Sequence, residues 1–163
     1  MSSKDNFTPE EWKQIVQSPM LAGLAVTAAD PGGLWSAIKE GSGLAKSLVE
    51  AKMGSAEADI LTDIASTFDT SEGRRMAQDE VKDLFRGKKA AEASQAAVDR
   101  LGEISAIVEA KAPEQAAAYK DWLRATAQKV AEAGTEGGFL GFGGEKVSDA
   151  ERRTLADIDE VLG

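Results

Sequence analysis

Apolar residues recur along this chain at intervals of three and four, with no sustained alternation of period two, so the pattern predicts helices and no sheet. The first signal is Thr8-Pro9-Glu10-Glu11: Thr8 can cap, Pro9 suits the first helical position, and Glu11 completes a capping box. Trp12, Ile15 and Val16 share one side of the short helix that follows. Ser18-Pro19 repeats the cap-then-proline start, so a turn and a second helix are expected there. From Met20 to Ala29 the chain is apolar nearly all round, the mark of a helix at the centre of a fold. Asp30-Pro31-Gly32-Gly33 breaks it.

The next predicted helix, about Leu34 to Met53, carries Leu34, Ile38, Ala45, Leu48 and Val49 on one stripe. Gly41 and Gly43 weaken it by about 1 kcal/mol each relative to Ala. Gly54-Ser55 ends it and caps a helix built on Ile60, Leu61, Ile64, Ala65 and Phe68. Asp69 to Gly73 reads as a turn, and the helix after it places Met76, Val81, Leu84 and Phe85, with Gly87 at C′. A long helix from about Lys89 to Lys111 has Ala97, Leu101, Ile104 and Val108 as its seam, led in by Ala90 and Ser94. Pro113 starts another, with Ala116, Tyr119, Leu123, Ala127 and Val130 inside, Trp122 at the border and Gly134 at the end. Residues 134–147 read as a glycine-rich loop, long for a helix-to-helix connection. Ser148-Asp149-Ala150-Glu151 is a second capping box, and the last helix buries Leu155, Ile158 and Leu162. The expectation is one all-α domain over residues 1–163, a bundle of seven or eight helices behind an N-terminal tail of residues 1–7.

Composition narrows the chemistry. A chain of 163 residues can bury a core without staples. It has no Cys and no His, which removes disulfides, thiolate chemistry, ordinary zinc sites, Ser-His-Asp triads and Cys-His dyads. A formal net charge of −9 opposes phosphate backbones, so nucleic acid is not an expected partner. The longest apolar run is far short of the ~20 residues of a membrane span, and the polar start Met-Ser-Ser-Lys-Asp-Asn is no signal core; a cytoplasmic protein is expected.

Two helix exits echo each other. Val26 to Trp35 and Val130 to Leu140 both read valine, alanines, an acid, two glycines and two large apolar residues, once a single insertion is allowed. Such an echo points to two pseudo-symmetric halves. An alanine-acid-glycine exit from a buried helix, then a loop and Ser-x-x-Glu opening a new helix, resembles the TerB-like tellurite-resistance proteins. The likeness is best over Leu123 to Gly163 and thinner over Pro19 to Ala45. It implies a small all-α protein linked to stress responses, with acidic residues as candidates for divalent-metal binding. Here the family's compact Ala-Asp-Gly is split: Asp30 precedes Pro31, and Glu136 stands behind Gly134 and Thr135. Asp30 and Glu136 are the two positions the resemblance carries over.

Three further features carry chemistry. In the glycine-rich loop, Phe139, Leu140 and Phe142 either meet a partner protein or membrane surface, or fold back to plug the end of the bundle. The pairs Asp59 with Asp63 and Asp79 with Asp83 have i, i+4 spacing, so each lies on one helix face. They could share Ca²⁺ or Mg²⁺, which need no His, or form an ordinary solvated face. The basic residues Arg74, Arg75, Lys82, Arg86, Lys88 and Lys89 are interleaved with acids, as on a salt-bridge-laced surface. The sequence therefore points first to a non-enzymatic binding or scaffold domain with a protein partner. Second comes a carboxylate-based metal-binding protein or metal-dependent enzyme, and third a peripheral membrane or lipid binder acting through the Gly/Phe loop.

Overall fold

The computed structural model describes residues 3–29, 42–53, 59–136 and 147–163. Among the described residues it has a 3₁₀ turn (Ser3–Asn6), seven α-helices and no strand. The helices are α1 (Pro9–Ala29), α2 (Ser42–Met53), α3 (Asp59–Asp69), α4 (Ser71–Phe85), α5 (Ala90–Lys111), α6 (Pro113–Glu136) and α7 (Asp149–Leu162). The molecule is an all-α bundle.

Helix α1 begins as its capping box dictates: Glu11 N donates to Thr8 Oγ1 (3.2 Å) and Thr8 N donates to Glu11 Oε2 (2.8 Å). It does not turn at Ser18-Pro19, where the sequence pattern placed a break, but runs on with Pro19 inside it. A proline there lacks the N–H that should serve the carbonyl of residue 15, a defect of about 3 kcal/mol in an ordinary helix. Ser18 supplies the missing donor, its Oγ giving a hydrogen bond to Ile15 O at 2.6 Å. The serine taken for a cap is the repair that lets the helix continue. One uninterrupted α1 then threads the core, with Ile15, Val16, Leu21, Ala22, Ala25 and Val26 fully buried.

The remaining helices pack around it. Helix α5 runs opposite to α1: Lys111 pairs with Glu11 at one end (2.6 Å), and Ser94 donates to Ala25 O at the other (2.7 Å). Its seam is the predicted one, with Ala97, Leu101, Ile104 and Val108 all fully buried, although Ala93 rather than Ala90 is covered at its start. A single residue, Ala112, separates α5 from α6, which turns back beside it and so runs in the same sense as α1. Where α1 and α6 cross, a Cβ on Gly23 would stand 3.2 Å from Val130 Cγ2, so the glycine sets the spacing. Helix α7 opens on its capping box, with Glu151 N to Ser148 Oγ at 3.2 Å and Ser148 N to Glu151 Oε2 at 2.9 Å. It lies against α5 and α6, with Ile158 and Leu162 buried.

Three boundaries differ from the sequence reading. The expected turn at 69–73 is only a break at Thr70, whose hydroxyl accepts from Gly73 N at 3.0 Å. Gly73 belongs to the first turn of α4, and any side chain there would collide with Thr67 O, 2.0 Å from the Cβ position. Helix α6 does not stop at Gly134 but continues to Glu136. A glycine in a helix costs only about 1 kcal/mol, too little to end one by itself. Nor are residues 3–7 a loose tail: Ser3 and Phe7 are buried. Gln115 Oε1 ties this segment down, accepting from Ser3 Oγ (2.9 Å) and from Ile60 N at the start of α3 (2.8 Å).

Candidate contact face on helix α2

Helix α2 is attached to the bundle by hydroxyls. Ser47 and Thr126 are both fully buried and hydrogen-bond through their side-chain oxygens. Thr126 Oγ1 donates to Trp122 O (2.7 Å), and Trp122 Nε1 donates to Ser47 O (3.1 Å). The Ser47 hydroxyl proton therefore goes to Thr126, and every donor in the closed circuit has an acceptor. Such a fully satisfied buried network fixes one docking geometry, because any shift would strand a polar group away from water. Two ion pairs flank it, Glu50 with Lys129 on α6 and Lys52 with Asp69 on α3.

This clamp decides which way α2 faces. Ser47 and Ala51 are buried, with Leu44 and Leu48 half-buried beside them. The opposite side, by helical geometry, carries Ala45, Val49 and Met53 in a row of i, i+4 spacing. The sequence pattern put Ala45 and Val49 on the inner stripe, and the structure reverses that. Val49 is 53 % exposed and Met53 83 % exposed, and they are the exposed large hydrophobic residues among the described residues. Lys46 stands exposed on the same outer side.

The acidic pairs proposed from sequence fall elsewhere. Asp59 is the first residue of α3, and its side chain is outside the described set. Asp63, half-buried, accepts from Lys4 N at 3.3 Å. Asp79 and Asp83 are exposed on α4 and pair along their own helix, with Lys82 at 3.9 Å and Arg86 at 2.8 Å. Among the described residues no group of three or more acidic side chains is placed to hold a metal ion. Asp30, Phe139, Leu140 and Phe142, with residues 30–35 and 137–140 of the two echoing exits, lie outside the described residues, and of Glu136 only the backbone, the last residue of α6, is described. Because α1 and α6 run in the same sense, the two helices end toward the same end of the bundle.

Two of the six residues of the basic cluster hold helix ends. Arg74 Nη1 donates to Phe68 O (2.7 Å) and Asp69 O (3.0 Å), closing the end of α3. Lys88 Nζ does the same for Leu84 O at the end of α4 (2.6 Å).

Among the described residues, two ionisable groups depart from their ordinary behaviour. Glu11 is held below the usual carboxylate range, first by its hydrogen bond from Lys111 and then by Thr8 N–H. Burial raises the Tyr119 phenol, against a smaller opposite influence from Ser18. Neither the Tyr119 hydroxyl nor Gln17 Oε1 has a hydrogen-bond partner of good geometry, although both are buried.

The clamp was not read from the sequence. Its signal was present in small residues at i, i+4 (Ser47, Ala51), with large apolar residues on both sides of them. No helix among the described residues is long and apolar enough to cross a membrane. Comparison of the chain with protein-family models, with curated proteins and with solved structures finds no match.

Proposed function

We propose that this protein is a non-catalytic helical binding or scaffold domain and that the outer side of α2 is part of its contact surface for a helix of a protein partner. The observation that carries the reading is the inverted polarity of α2. A helix that buries the Ser47 hydroxyl and turns Val49 and Met53 to water has two large apolar side chains where the bundle does not use them. Exposed apolar side chains on a rigid, firmly docked element are what a partner's apolar anchors need. The same reading retains the TerB-like outline and a stress-response setting as its biological frame.

The test is affinity capture from the native host with wild-type protein and with a Val49→Glu, Met53→Glu double variant. Both side chains face solvent, so the variant should melt like the wild type while losing the captured partner. Retention of the same partner in the same amount would refute the assignment of this surface.

A further inference from the structure

Taking that contact surface as its premise, we infer that its occupant is a second copy of this chain, joined through an antiparallel α2–α2′ contact with Val49 at the two-fold axis. Along the exposed side the residues run in the order Ala45, Lys46, Val49, Glu50, Met53. Residues on an α-helix rise by about 1.5 Å each, so Ala45 and Met53 stand at equal distances, about 6 Å, on either side of Val49. A two-fold axis through Val49, perpendicular to the helix, places Met53 of one copy over Ala45 of the other. The longest apolar side chain then meets the smallest, twice, and Val49 meets Val49.

The charges obey the same operation. On the helical wheel Lys46 and Glu50 lie along one flank of the apolar row, and this axis keeps that flank facing its own counterpart. Lys46 comes within about 3 Å of level with Glu50 of the other copy, so two reciprocal ion pairs frame the contact. Lys46 has no ion pair among the described residues. Glu50 uses Oε2 for Lys129 and keeps its other carboxylate oxygen. A parallel arrangement would set Met53 level with Met53 and turn the Lys46–Glu50 flank toward the partner's opposite flank, which loses both complementarities. A self-complementary order of size and charge is what a two-fold interface requires. The area is small against the roughly 1,200–2,000 Å² of stable interfaces, so the association is weak and reversible.

The chain has no cysteine, which makes the test direct. Val49→Cys introduces a single thiol on the proposed axis, and Gln78→Cys puts one at an exposed position on α4 as a control. Under mild oxidation at matched concentration, Val49→Cys should form the disulfide-linked dimer about tenfold faster or more, because association raises the thiols' effective concentration. Adding Lys46→Glu should slow that cross-linking. Sedimentation of the wild type should show a reversible rise in mass with concentration. Equal cross-linking of the two cysteine variants, or a monomer at every concentration, would overturn self-association. If that occurs while Val49→Glu, Met53→Glu still abolishes capture, the binding-domain reading stands with a different occupant; if capture is also unchanged, both fail.

Discussion

Helices α5 and α2 are held to the same bundle by opposite means. Helix α5 docks with an apolar seam, Ala97, Leu101, Ile104 and Val108, and turns Glu103, Glu109 and Lys111 to water. Helix α2 docks with the Ser47–Thr126–Trp122 circuit and turns Val49 and Met53 to water. For α5 the period of the apolar residues and the buried side coincide. For α2 they do not, because the side that carries Ser47 is the one whose hydrogen bonds close with Thr126 and Trp122. The difference teaches that an apolar stripe identifies an inner side only where nothing polar competes for it. A helix whose stripe and buried side disagree has apolar surface left over for something else.

The comparison can be broken most severely on the α5 side. Leu101→Ala removes a fully buried seam residue and should cost about 2–5 kcal/mol, read as a lower denaturant midpoint. On the α2 side the largest expected effect comes from leaving the circuit half-made. Thr126→Val preserves shape but strands the Ser47 hydroxyl, at about 1–3 kcal/mol. Pairing it with Ser47→Ala removes both partners and should recover part of that loss. A double variant worse than the sum of the singles would show that the circuit is not what holds α2.

A smaller effect of opposite sign is expected at Tyr119. Its buried hydroxyl lacks a well-made hydrogen bond, so Tyr119→Phe should leave stability unchanged or raise it by up to about 1 kcal/mol near neutral pH. The pH dependence has a definite sign. The folded state raises the phenol's pKa, so the folded protein holds its proton where the unfolded chain has begun to lose it. Stability is therefore retained below the ordinary tyrosine value near 10 and falls as pH rises above it. Wild type should lose stability relative to Tyr119→Phe in that alkaline range, which parallel chemical denaturation at neutral and alkaline pH measures.

How far the fold was legible follows the same logic. Both Ser/Thr-x-x-Glu caps formed as read, since a capping box is a local interaction complete within four residues. Gly87 takes φ 73°, as its expected place after α4 requires. The α5 seam was plain because every third or fourth residue from Ala97 to Val108 is apolar, over about three turns. Pro19 misled because its consequence depends on one rotamer of Ser18, and Gly134 misled because a glycine marks a stop only when its φ is positive. The α2 face was hidden because its partners, Trp122 and Thr126, are seventy-five and seventy-nine residues away in the chain. Of the candidate site residues, Asp79 and Asp83 proved to be paired along their own helix, a distinction that i, i+4 spacing does not make.

The central claim is that α2 faces outward with its apolar row, and Val49→Glu tests it with one thermal melt. Val49 is more than half exposed, so the outward orientation gives an unfolding midpoint within the usual ±0.5 kcal/mol range of surface substitutions. Were Val49 on the buried side, a carboxylate there would lower stability by several kcal/mol, and that result would contradict the account.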